Sequence, residues 1–103
     1  MARDPIELRR YRGQGSFLDG ETLEAVQLTK DNFLTVEDWL EANGSETHLW
    51  TNESHIVGLW VFNTWHDRSD KTPAPFGWWV YQTEDGRIGV AAEVTLDAHY
   101  IQI

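Results

Sequence analysis

The alternation of apolar and polar residues divides the chain into short strand-like runs and one helix. Leu23 to Thr29 alternates with period two, and Val26 and Leu28 mark its core face. Asp31 and Asn32 break that run. Thr35 to Asn43 reads as a helix. Thr35 stands at the N-cap, Glu37 and Asp38 fall in the first turn, and Val36, Trp39 and Leu40 form one apolar stripe. Gly44 follows where a left-handed residue ends helices. His48 to Thr51 predicts a short strand, and Asn52-Glu53-Ser54 a turn.

His55 to Trp65 is the most apolar run. Val57, Leu59 and Val61 share one face, and Ile56, Gly58, Trp60 and Phe62 the other. Two apolar faces predict a central strand covered on much of both sides. Gly58 predicts a bulge or a close neighbour there. His66 to Pro75 reads as a polar loop. Gly77 to Thr83 and Arg87 to Ala92 flank an Asp85-Gly86 turn, the clearest hairpin signal in the chain. A helical turn over Glu93 to His99 and an edge strand over Tyr100 to Ile103 complete the reading. The pattern predicts an α+β domain: a single twisted, mainly antiparallel sheet of about five strands with one helix packed on one face.

Composition adds boundaries. A chain of 103 residues is one domain's length, and six tryptophans supply ample core area. Residues 1–20 read as a flexible arm, rich in arginine and then glycine, and residues 21–103 as the folded domain. With no cysteine there is no disulfide, thiolate zinc site or iron–sulfur cluster. The longest apolar run, Ile56 to Phe62, is far short of the ~20 residues that span a bilayer, and no secretory signal is expected at the N-terminus. Net charge is −9; the first twelve residues carry four arginines against Asp4 and Glu7, so the rest is more acidic still. Such a body repels nucleic-acid backbone, which argues against direct nucleic-acid binding.

Candidate chemistry is sparse. No two of the four histidines, His48, His55, His66 and His99, are closer than seven residues, so no metal-ligand spacing arises and no metal or other cofactor is expected. No GxSxG, SxxK, Walker A or GxGxxG pattern occurs, and the chain reads as a non-enzyme. The tryptophans carry the functional signal. Adjacent Trp78 and Trp79 point to opposite faces of a strand, so aromatic surface falls on both sides of the sheet. The candidate binding residues are Trp60, Trp65, Trp78 and Trp79, with His66, Asp67, Arg68 and Asp70 in the polar loop beside them. A second subunit or a foreign protein would cover such a face equally well.

Two stretches resemble the PGDYG family of small, mostly phage-encoded proteins. The first is the strand Glu24-Ala-Val-Gln-Leu-Thr-Lys-Asp-Asn32, continued by Val36 and Trp39. The second is Phe76-Gly-Trp-Trp-Val-Tyr81, with Asp85-Gly86 and the late Tyr100. Pro75 lies one residue further from its glycine than in the family turn, Trp78 replaces the aspartate, and Leu96 stands for the family's phenylalanine. The resemblance implies a small phage accessory protein of α+β fold and supplies no catalytic residues. Together with the tryptophan excess, the acidity and the absence of catalytic motifs, it leaves three expectations. The first is a non-enzymatic binder of a host protein in the bacterial cytoplasm, with a homodimer as a further option. The second is an acidic nucleic-acid mimic that inhibits a host DNA-binding or defence enzyme. The third is a small-molecule or nucleotide binder with a pocket lined by Trp60, Trp65, Trp78 or Trp79.

Overall fold

The computed structural model of the chain describes residues 6–14, 20–63 and 70–103. The described residues form an α+β fold of eight strands and two helices: β1 (Arg9–Gly13), β2 (Thr22–Gln27), α1 (Phe33–Ala42), β3 (Thr47–Asn52), β4 (His55–Asn63), β5 (Asp70–Pro75), β6 (Trp79–Thr83), β7 (Ile88–Ala91), α2 (Glu93–His99) and β8 (Tyr100–Gln102). The strands form two sheets rather than the single one predicted. One has the order β7-β6-β2-β1-β8 and the other β3-β4-β5, all antiparallel.

Two segments differ from this reading for local reasons, one adding β5 to the small sheet and the other β1 to the large one. The segment read as a polar loop ends in β5, which pairs Trp60 with Pro73 and Gly58 with Pro75. Proline lacks an N–H, so it suits only an edge strand, where that position faces away from the ladder; β5 is such an edge. The N-terminal arm also contains a strand. β1 lies inside the large sheet between β2 and β8, and Tyr11 is 3% exposed.

The large sheet is buried on both faces. Val26 and Leu28 pack with Val36 and Leu40 of α1, Leu59 and Val61 of β4, Ala74, Val80 and Ile88. On the opposite face Leu23 and Ala25 pack with Tyr11, Trp79 and Leu96 of α2. β2 is therefore apolar on both sides, where the sequence marked only one. The smaller sheet and α1 cover one face, and α2 covers the other.

Helix α1 begins two residues before Thr35. Its N-cap, Asn32, makes no capping bond to the helix, because its side chain is committed backwards: Oδ1 accepts from the Thr29 N–H at 2.7 Å, and Nδ2 donates to the Gln27 carbonyl at 2.8 Å. Asn32 thus fastens the end of β2 rather than the start of α1. The stop follows prediction. Gly44 has φ +87°, its N–H donates to Glu41, and the Ser45 N–H donates to Leu40, which is a Schellman motif.

The predicted hairpin of β6 and β7 is present. Gly86 has φ +89°, and the Thr83 N–H donates to the Arg87 carbonyl at 2.8 Å. Gly58 meets the close neighbour its type predicted. A Cβ there would run into the Ala74 carbonyl oxygen and lie 2.9 Å from Pro75 Cα. The two sheets are joined at a turn over Pro75-Phe76-Gly77-Trp78, with the Trp78 N–H on the Pro75 carbonyl and Gly77 at φ +99°. Gly77 N–H and Trp78 C=O then bond both backbone groups of Leu28, while the Phe76 N–H donates to Val57.

Candidate functional site, the outer face of the small sheet

The inner face of β3-β4-β5 supplies Leu59, Val61 and Ala74 to the core. Strand alternation then forces their neighbours outward: His48 and Trp50 on β3, Trp60 and Phe62 on β4, Lys71 and Pro73 on β5. These side chains pack on one another. Trp50 and Trp60 lie 5.4 Å apart between ring centroids, tilted by 44°. His48 meets Phe62 edge-on at 5.6 Å. The Lys71 ammonium sits 4.4 Å from the centre of the Trp60 ring, within cation–π range.

None of Trp50, Trp60 and Phe62 belongs to either core cluster. All three are half-buried, while His48 and Lys71 are exposed. α1 packs against the opposite side of this sheet, through Val36 and Leu40. The prediction that β4 is covered on both sides is thus replaced by a different arrangement, in which its second face is sheltered by its own aromatics. A hollow of about 410 Å³ adjoins His48, lined also by Glu41, Glu46 and Thr47. The face therefore has carboxylates along one border and an ammonium at the other.

The candidate residues named from the sequence do not converge. Trp60 is at the centre of the face. Asp70 opens β5, paired with Asn63. Trp65, His66, Asp67 and Arg68 lie outside the described residues. Trp78 is 40% exposed, at the turn before β6 in the other sheet. Trp79 is a core residue: at 3% exposure it packs edge-on against Tyr11 at 6.0 Å, under the Arg9 guanidinium at 5.2 Å. It has no surface to offer a partner. Trp60 and Trp79 sit in different sheets, so they do not line one pocket.

The residues that sequence reasoning missed are His48, Trp50, Phe62 and Lys71. Period two in β3 and β4 was the available signal. A register shift between Trp50 and Thr51 obscures it: Thr51 pairs with Ile56, but Trp50 pairs with Gly58.

A second polar cluster lies on the α2 side of the large sheet. Tyr81 lies over Gly89, whose missing Cβ leaves room for the phenol. Burial, reinforced by the nearby Tyr100 and Glu21, pushes the Tyr81 hydroxyl up to about 12. Burial likewise raises Tyr100. Arg87 approaches Glu21 at 3.7 Å and Asp85 at 2.9 Å. At the turn, hydrogen bonds from the Thr83 hydroxyl and then Arg87 hold the exposed Asp85 carboxyl below its usual range.

Among the described residues no group of three or more histidine, aspartate or glutamate side chains comes together to hold a metal ion. No described helix is long and apolar enough to cross a membrane. Comparison of the chain with protein-family models, with curated proteins and with solved structures returns no match.

Proposed function

We propose that this protein is a non-enzymatic binding protein that docks on a partner protein through the outer face of β3-β4-β5. The observation that carries the reading is the coupled Trp50–Trp60 pair with Lys71 over it, outside both core clusters. Tryptophans at the centre of a patch are the usual energetic anchors of protein interfaces, and a polar border is their usual surround. Glu41, Glu46 and Lys71 supply that border. The resemblance to the PGDYG family points to a phage accessory protein and to a host protein in the bacterial cytoplasm as the partner.

The acidic-mimic reading asks for carboxylates ordered along one face. The described ones are spread over separate elements: Asp38 and Glu41 on α1, Glu84 and Asp85 in the β6–β7 turn, Glu93 and Asp97 on α2. The aromatic face is the better-supported site.

Affinity capture from bacterial lysate tests this, with immobilised wild type beside the double variant Trp50→Ala/Trp60→Ala and the control Trp78→Ala. A discrete partner retained by wild type and control but lost by the double variant supports the proposal. A partner retained equally by all three contradicts it.

A further inference from the structure

The outer face of β3-β4-β5 is one-sided in its hydrogen bonding. An indole N–H donates and cannot accept, and an ammonium is likewise donor-only. Among the described residues, the buried side-chain polar atoms without a partner are Glu21 Oε1 and Trp79 Nε1. The indole N–H groups of Trp50 and Trp60 are not among them and bond to no described residue, so both open to solvent. The Lys71 ammonium rests over the Trp60 ring at 4.4 Å and makes no salt bridge among the described residues. Phe62 and Pro73 beside them add apolar surface and no acceptor.

Such a face is matched by a chain rich in acceptors and poor in donors. A helix closes its carbonyls on its own N–H groups, and a strand pairs at a sheet edge rather than on a face. A proline-rich segment differs from both. Its polyproline II backbone makes no internal hydrogen bonds, its carbonyls are open, its prolines lack an N–H and their rings are apolar. Aromatic-lined surfaces dock such segments because the extended helix is already formed and little entropy is lost on binding. Charge adds a second feature. Glu46 lies opposite Phe62 and two residues before His48, on the same outer face. With Glu41 it lines the hollow of about 410 Å³ beside His48, and neither carboxylate has a partner among the described residues. In a chain of net charge −9, that hollow suits a cationic side chain.

We infer that the outer face recognises a proline-rich segment with a basic residue at one end. The segment's carbonyls accept from the Trp50 and Trp60 indole N–H groups, its proline rings lie on the aromatic rings, and its basic side chain enters the hollow at Glu41 and Glu46. The inference rests on the docking face proposed above and names the chemistry of its occupant.

Proton–nitrogen NMR of the indole N–H groups tests it, with the signals assigned through Trp50→Phe, Trp60→Phe and Trp78→Phe. The probe is a synthetic peptide of two arginines followed by six prolines. One comparison peptide carries glycine and serine in place of the prolines, and another glutamates in place of the arginines. The Trp50 and Trp60 signals are expected to shift saturably with the probe while Trp78 stays in place, at an affinity about tenfold or more above either comparison peptide. Glu46→Lys is expected to weaken the probe's binding about tenfold. The peptide comparison uses the wild-type chain, so it decides the matter even where a variant does not fold. No saturable shift up to about 5 mM probe, equal affinity for either comparison peptide, or a shift confined to Trp78 would each overturn the inference. A partner still captured from lysate through Trp50 and Trp60 would then leave the docking face standing, so the two readings fail separately.

Discussion

Trp50 and Trp60 are diagonal neighbours across the β3–β4 ladder, 5.4 Å apart, because the residue directly opposite Trp50 is Gly58 and has no side chain to fill the gap. Both rings are half-buried. Aromatic pairs of this kind contribute about 0.5–1.5 kcal/mol beyond area burial. A double-mutant cycle with Trp50→Ala and Trp60→Ala, read by urea unfolding, is expected to return a coupling of that size. Both single variants should fold, since neither ring enters a core cluster.

Gly58 itself is predicted to be intolerant. The obstacle to a Cβ is backbone, at Ala74 and Pro75, and cannot rotate away. Gly58→Ala should destabilise by about 1–3 kcal/mol, the usual cost of overpacking. It should also weaken β4–β5 pairing, seen as faster amide exchange at Leu59 and Val61.

Tyr11 reports on the N-terminal strand. It is buried at 3% against Trp79, in the middle of the large sheet. Tyr11→Ala should cost about 3–5 kcal/mol, as for other buried aromatics, whereas exposed Arg10→Ala should change stability by less than about 0.5 kcal/mol. Equal, small effects in both variants would mean that β1 is not part of the cooperative unit.

Tyr81 sets a prediction at alkaline pH. Its folded-state value is about 12, against 10.0 for the ordinary phenol. A group that holds its proton more tightly when folded contributes stability that is present below the unfolded value and lost as pH rises through the folded one. Stability should therefore fall between about pH 10 and 12, and Tyr81→Phe should reduce that fall. Urea midpoints on either side of the window, compared with the phenolate absorbance titration, check it.

Much of this fold is legible along the chain where the deciding interaction is local. The Gly44 stop, the Asp85-Gly86 turn and the crowding at Gly58 follow from the conformational freedom or small size of glycine. The strand β5 was hidden because prolines suppress a strand signal, and only its edge position admits them. The start of α1 was misplaced because Asn32, a good capping residue by type, spends both side-chain groups on β2. The candidate site was half legible. Trp60 is identifiable from alternation in the most apolar run, but Trp50 is not. Counting back from the turn pairs it with Val57 and puts it on the core side; the register shift moves it opposite Gly58 and onto the outer face.

The central claim is that the outer face of β3-β4-β5 is where a partner binds, and site-specific photocrosslinking tests it most directly. A photoreactive phenylalanine analogue is placed at Phe62, on the face, or at Val94, which is 67% exposed on α2, and the protein is irradiated in bacterial cells. The account predicts a discrete heavier adduct from position 62 that disappears in the Trp50→Ala/Trp60→Ala background and is absent from position 94. No adduct at position 62, or the same adduct from both positions, would contradict it.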